Sequence, residues 1–249
     1  MTKKVRIWAL ESVNDGRAVN ILAQKIVKYA NKSNDIGLYP DPIDTTTLAA
    51  VINKNPLNGL ENAVSNYINN GDIVVFVIDD DGPASLATRK RQPHSYINQA
   101  RNMVQKFDGK VYLAIIEHEI EAWLLIDCCG IAGYFSKDKE KLSPHNCHEI
   151  LFSKEKYKNL IKKRQKGDTA NIVEAYQGGK NAKEELIHFS KEVIKLVNPN
   201  IKDKDVGERC YKEKRSPEVA QFIKISKDTL VRNNSLKTFS ELILKDTTR

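Results

Sequence analysis

The side chains best placed to do chemistry are carboxylates that follow apolar runs. Glu11 follows Val5–Leu10, Asp79-Asp80-Asp81 close Ile73–Ile78, and Glu117, with Glu119 and Glu121 just beyond, follows Lys110–Ile116. If the three runs are neighbouring parallel strands, these acids all arrive at one sheet edge, where open α/β folds bind ligands. Two like charges about 4 Å apart repel by on the order of 4 kcal/mol at an effective dielectric of 20. Such a cluster requires protons, cationic neighbours or a bound cation. Hard oxygen ligands with no His/Cys set beside them suit Mg²⁺ or Mn²⁺. Strand alternation puts Asp79 and Asp81 on one side and Asp80 on the other, so Glu11, Asp79 and Asp81 are the expected ligands. Asp79–Gly82 alone reads equally well as a turn, since Asp-Gly-Pro is a common one. The presence of Glu11 favours metal.

Positive charge lies near enough in sequence to matter. Arg89-Lys90-Arg91 sits in a loop after the acidic strand end, and Lys212, Lys214 and Arg215 lead into a helix start at Ser216. Both groups suit a nucleic-acid backbone, and at Ser216 the helix N-terminus also favours phosphate. Lys214 or Arg215 could neutralise charge developing in a transition state. Read singly, each group is more often a solvated surface. Gly178-Gly179-Lys180 lacks the leading glycine, the strand and the Ser/Thr of a phosphate loop. His145, Cys147 and His148, with Cys128 and Cys129, match no standard zinc spacing.

The elements that must position these residues follow from pattern. Lys4–Leu10, Ile73–Ile78 and Lys110–Ile116 read as buried strands, and the loop Asn31–Pro42 has room for one short strand. Helices are expected over Asp15–Lys32, over Thr47–Asn69 with a break at Asn55-Pro56, and over Pro93–Phe107. Alternation of strands and helices implies right-handed crossovers and a mainly parallel sheet flanked by helices. Beyond Gly130 the segments are helical and richer in lysine, including Ala182–Val197. Ser216 is expected to cap one helix, with Pro217 in its first turn, and Ser235 to cap the last. The division expected is an α/β domain over 1–130 and a helical C-terminal extension over 131–249 packed on it. Trp8 and Trp123 read as core.

Composition narrows the class. The 249 residues are 41% hydrophobic and 29% charged, with a formal charge of +8. That balance favours polyanions but sets encounter rather than function. No apolar run approaches the roughly 20 residues that span a bilayer, and no signal peptide is read at Met1–Leu10. Four cysteines without a framework read as reduced thiols. A cytoplasmic protein without membrane attachment is expected.

The order Glu11, βα unit, apolar strand, Asp79-Asp80-Asp81-Gly82 resembles a Toprim domain, the Rossmann-like fold of topoisomerases, primases and OLD-type nucleases. That family often has Gly after its glutamate and an acid four residues on; here Ser12 and Asp15 occupy those places. Ile-Glu-His-Glu-Ile-Glu-Ala-Trp-Leu-Leu-Ile-Asp (116–127), then Tyr211-Lys212-Glu213-Lys214 with Ser216-Pro217, resemble an uncharacterised bacterial Toprim-like family related to OLD nucleases. The resemblance implies that Glu11 is a metal ligand or general base and that Asp79 and Asp81 hold Mg²⁺. It also implies a second metal position at Glu119 and Glu121, with Glu117 and Asp127 as weaker candidates. Two ions about 3.5–4 Å apart serve phosphodiester hydrolysis. Without the resemblance, Glu119, Glu121 and Asp127 read as the solvated face of a helix whose Trp123, Leu124 and Ile126 face the core.

The expected function is a Mg²⁺- or Mn²⁺-dependent nuclease acting on DNA, with RNA as an open substrate, in bacterial anti-phage defence or DNA processing. The alternative is a non-catalytic Toprim-like binding or regulatory module acting with an ATPase. A small-phosphate hydrolase or phosphotransferase is a third reading. Nucleic acid and an ATPase are the partners expected; self-association as a homo-oligomer is left open.

Overall fold

The computed structural model describes residues 2–9, 12–39, 59–79, 91–92, 95–165 and 181–245. Glu11, Asp80, Asp81, Arg89, Lys90 and the Gly178–Lys180 segment lie outside the described residues. Contacts divide the chain into two compact units, Met1–Glu117 with Ser235–Arg249, and His118–Asn234.

The first unit is α/β. Lys3–Ala9 (β1), Ile36–Tyr39 (β2), Asp72–Asp79 (β3) and Val111–Ile116 (β4) form a four-stranded sheet of order β2-β1-β3-β4. Every pairing is parallel. The short strand allowed for in the 31–42 loop is β2, which pairs Lys3–Arg6 with Ile36–Tyr39. Helices Val13–Tyr29 (α1), Gly59–Asn69 (α2) and Tyr96–Lys106 (α3) pack on β1, β3 and β4 respectively. The part of the expected Thr47–Asn69 helix before Gly59 lies outside the described residues.

β3 carries an uninterrupted apolar run, Ile73–Ile78. All eight of its residues are buried, and each fully buried Val, Ile or Phe contributes roughly 1.5–3 kcal/mol. Val74, Phe76 and Ile78 share one core cluster with Trp8, Leu60, Val64, Ile97, Ala100, Met103 and Val111. The alternate positions of β1, Val5 and Ile7, are buried as well, as a sheet covered on both faces requires. Asp72, at the amino end of β3, is buried against Arg6, whose Nε lies 2.5 Å from its Oδ2. The Arg6 guanidinium in turn lies between the rings of Tyr39 and Tyr67, 4.1 and 4.2 Å from their centroids. That ion pair sits at the opposite end of β3 from Asp79.

The second unit is helical among its described residues. Its elements are Ile120–Leu124 (α4), Cys128–Glu140 (α5), Cys147–Phe152 (α6), Glu155–Arg164 (α7), Ala182–Val197 (α8), Asp203–Arg209 (α9), Ser216–Phe222 (α10) and Lys227–Leu230 (α11). The helix Asn234–Leu244 (α12) then returns to the first unit. α8 buries Leu186, Phe189, Val193 and Ile194 as its spacing predicts, and Arg164 ties α7 to it through Glu185 and Glu192. Trp8 and Trp123 are core residues. The two expected serine caps differ. α10 is capped at Arg215, with Ser216 already inside the helix. Ser235 follows the first residue of α12, and its Oγ accepts the Glu117 N–H at 3.2 Å.

Among the described residues no helix is long and apolar enough to cross a membrane.

Candidate functional site

Two sets of acids need separate description. At the sheet, Asp79 is the last residue of β3, buried, and in register with Ile116 at the end of β4. On the other side of β3, Ala9 is paired with Val77. The strand order reverses between β1 and β3, because β2 lies to one side of β1 while β3 and β4 lie to the other. Such a switch point is where ligands of open parallel sheets bind, outside the carboxyl ends of the strands. Asp79 stands at that edge. Its expected co-ligands Glu11 and Asp81 lie outside the described residues. Ser12 caps α1: its Oγ accepts the Asp15 N–H at 3.1 Å and donates to Asp15 Oδ2 at 2.5 Å. Arg91 is exposed.

The other acids belong to the second unit, where the two motifs singled out at 116–127 and 211–217 meet. Glu121, in the first turn of α4, is only 3% exposed, so it is not on a solvated helix face. Its Oε1 accepts from the Tyr211 hydroxyl at 2.9 Å. The Tyr211 hydroxyl lies 2.6 Å from Ser216 Oγ, and Ser216 Oγ donates to the Glu213 carbonyl at 2.7 Å. Glu119, just before α4, has its Oε2 on the Lys183 N–H at 3.2 Å, at the start of α8. Lys183 Nζ in turn reaches Glu213 Oε2 at 3.2 Å. Lys183 and Tyr211, from two parts of the chain, thus hold a pair of carboxylates, with Ser216 behind Tyr211.

The electrostatics follow from burial. Withdrawal from water pushes the Glu121 carboxyl up to about 7, a direction the neighbouring Glu119 charge reinforces. Its own backbone N–H, the Tyr211 hydroxyl and Lys183 hold it from rising further. Burial pulls Lys183 down, but the Glu213 hydrogen bond and the charges of Glu121, Glu213 and Glu119 outweigh it and leave the ammonium raised.

Asp127, at the end of the same motif, is a different object. It is 1% exposed and caps α5, with Oδ1 accepting the Cys129 N–H at 3.1 Å and Oδ2 accepting the Lys224 N–H at 2.7 Å. His148 Nε2 lies 2.8 Å from the same Oδ2. Its lone pairs serve the fold. Glu117 is half-buried, at the end of the first unit's β4.

Of the basic residues before α10, Lys212 and Lys214 are exposed. Arg215 is engaged with the carboxyl end of α9, donating to the Glu208 and Arg209 carbonyls at 3.3 and 2.8 Å. The cysteines are all free and buried. Burial pushes the Cys128 thiol up to about 12 and moves Cys129 in the same direction, far from a thiolate that ligates metal. Among the described residues no group of three or more His, Cys, Asp or Glu side chains is placed to hold a metal ion.

The donor chemistry of Glu119 and Glu121 nevertheless fits a hard cation. Glu119 accepts from the Lys183 N–H, and Glu121 accepts from Tyr211 and from its own backbone N–H; a carboxylate offers about four lone-pair sites, so each keeps capacity for a further ligand. Mg²⁺ is commonly held by one or two carboxylates and completed by water and substrate phosphate. Lys183 and the buried part played by Tyr211 were missed in the sequence. Tyr211 stands 90 residues from Glu121, and Lys183 stands 64 from Glu119. The helix start at Asn181, whose side chain caps α8 through the Glu184 N–H, was the only local signal available for Lys183.

No protein family, curated protein or solved structure matches the chain.

Proposed function

We propose that the chain is a divalent-cation-dependent phosphodiester hydrolase acting on DNA, built on a Toprim-like sheet. One observation carries this reading: the strand order reverses between β1 and β3, and Asp79 stands at the carboxyl edge of that switch point. Ala9 is paired with Val77, and in the sequence Glu11 and Asp79 each stand two positions further on. A carboxylate donor set suits Mg²⁺ or Mn²⁺. Glu11, Asp79 and Asp81 would hold one ion, and Glu119 with Glu121 a second. Bound there, the cation would stabilise the charge that develops on the phosphate oxygens.

The rest is work for the chain's own residues. Lys183, raised and fixed by Glu213, remains cationic beside the carboxylates and offsets their repulsion. Lys212 and Lys214 are exposed and suit the phosphate backbone, whose attraction falls as salt rises. Lys214 can also neutralise charge on the departing oxygen. The net charge of +8 favours the encounter.

Plasmid and linear DNA incubated with Mg²⁺ or Mn²⁺ test the reading. Wild type is expected to cleave, and Glu11→Gln and Asp79→Asn to lose on the order of 100-fold in rate. No cleavage by wild type, or equal cleavage by both variants, rejects it. DNA binding without cleavage would favour a non-catalytic module acting beside an ATPase.

A further inference from the structure

The hydroxyl pair behind Glu121 has no part in the reading above, which needs carboxylates and cations but no tyrosine. Tyr211 is 1% exposed and Ser216 0%, so the series from Glu121 Oε1 through Tyr211 and Ser216 to the Glu213 carbonyl runs through dry protein. Tyr211 is also fixed by its backbone, whose N–H donates to the buried Ser190 Oγ at 2.9 Å. The ring is thus anchored at one end to α8 and at the other to the first turn of α10, with its hydroxyl on the carboxyl.

This arrangement is costly if its purpose is packing. Replacing buried, paired polar groups by apolar groups of similar shape is often neutral or stabilising. A phenylalanine at 211 with an apolar residue at 121 would fill the same volume without burying a carboxyl. The polar series does one thing an apolar core cannot: it fixes the direction of the Glu121 carboxyl. Glu121 stands two positions from Glu119, whose own orientation is set by the Lys183 N–H. Both carboxylates are therefore held by protein donors, Glu119 by the Lys183 N–H and Glu121 by Tyr211 and its own N–H.

We propose that Tyr211, braced by Ser216, is the positioning residue that orients the Glu121 carboxylate, beside Glu119, for a divalent cation. This inference rests on the cation-dependent reading of the site. Hydrogen bonds that orient a ligating side chain remove rotational freedom before the ion arrives, and their loss typically weakens metal affinity by about 10–100-fold. Tyr211 does not touch the ion or the substrate; it acts through Glu121.

The test is Mn²⁺ binding to the full chain, measured by titration calorimetry at one fixed pH. The proteins are wild type, Tyr211→Phe, Ser216→Ala, Glu121→Gln and the Tyr211→Phe/Glu121→Gln pair. Tyr211→Phe is expected to weaken Mn²⁺ by about tenfold or more, and Ser216→Ala in the same direction by less. In the Glu121→Gln background Tyr211→Phe is expected to have no further effect, since residues that act as a unit are not additive. A purely structural tyrosine would not show that dependence. Unfolding midpoints identify any variant that does not fold; if Tyr211→Phe is one, Ser216→Ala alone and with Glu121→Gln is read by the same criteria. Wild-type affinity in the folded variant, the same loss with and without Glu121, or no Mn²⁺ bound by wild type overturns the proposal. DNA cleavage by the same proteins separates the two readings. Coupling between Tyr211 and Glu121 without cleavage removes the nuclease and keeps the positioning role, whereas cleavage without coupling does the reverse.

Discussion

Glu121 and Asp127 stand six positions apart in one motif and are buried to nearly the same degree, yet they are held in opposite ways. Asp127 receives two backbone N–H groups and a histidine nitrogen. Glu121 receives its own N–H and a phenol, and burial drives its carboxyl toward the protonated form. Burial alone therefore does not mark a functional acid. What differs is the supply of donors: Asp127 is filled by N–H groups of two other positions and a histidine, whereas Glu121 takes only its own N–H and one side-chain hydroxyl and keeps capacity for a ligand.

The largest expected effect comes from removing the scaffold acid. Asp127→Ala leaves the Cys129 and Lys224 N–H groups and the His148 ring without their shared acceptor, and should lower unfolding free energy by about 3–5 kcal/mol. Chemical denaturation would read this directly. A loss below about 1 kcal/mol would erase the distinction drawn between the two acids.

Next is the response of Glu121 to pH. Its folded pKa of about 7 lies above the ordinary value of 4.5, so between those values the folded chain holds a proton that the unfolded chain releases. Stability from the neutral carboxyl is full below about pH 4.5 and is lost as pH rises through 7. The shift is worth on the order of 3 kcal/mol at most. Denaturation across this range in chelator should show a decline that Glu121→Gln flattens. An identical slope in the variant would place the titration elsewhere.

A smaller effect tests the packing around Asp127. A Cβ at Gly130 would lie 2.7 Å from Asp127 Oδ2 and closer still to the Phe222 carbonyl oxygen. Gly130→Ala must move backbone rather than a flexible chain end, and is expected to cost about 2 kcal/mol. An alanine that stabilises the protein through its higher helix propensity would show that α5 and the Phe222 segment yield easily.

These contrasts also show how far the sequence could be read. The apolar runs over β1, β3 and β4 are dense enough to be recognised alone, and the acids after them follow by position. β2 has four residues, of which only Ile36 is buried, so its pattern was too short to stand out from its loop. Around Glu121 the usual signal disappears. α4 has five residues, all buried, and a helix without an exposed face has no amphipathic period to show which side an acid takes. The solvated-face reading of Glu121 and Asp127 failed for that reason. Their partners, at 148, 183, 211, 216 and 224, are supplied by tertiary packing over long separations that no local spacing encodes. Ser216 shows the same limit: a Ser-Pro pair looks like a cap locally, but the fold uses its hydroxyl to brace Tyr211.

The smallest expected effect is the most discriminating. His148 is the third donor to Asp127, and its side chain is 25% exposed. Removing it leaves Asp127 with two backbone donors, and water can reach part of the space vacated. His148→Ala should therefore cost only about 1 kcal/mol, well below the loss for Asp127→Ala. Denaturation of the two single variants and the double variant measures this. If backbone donors carry the site, the histidine substitution should add nothing once Asp127 is gone. If His148→Ala alone matches Asp127→Ala, the histidine contact rather than the backbone holds the acid. Asp127 would then resemble Glu121 in depending on a side-chain donor, and donor supply would no longer separate scaffold from site.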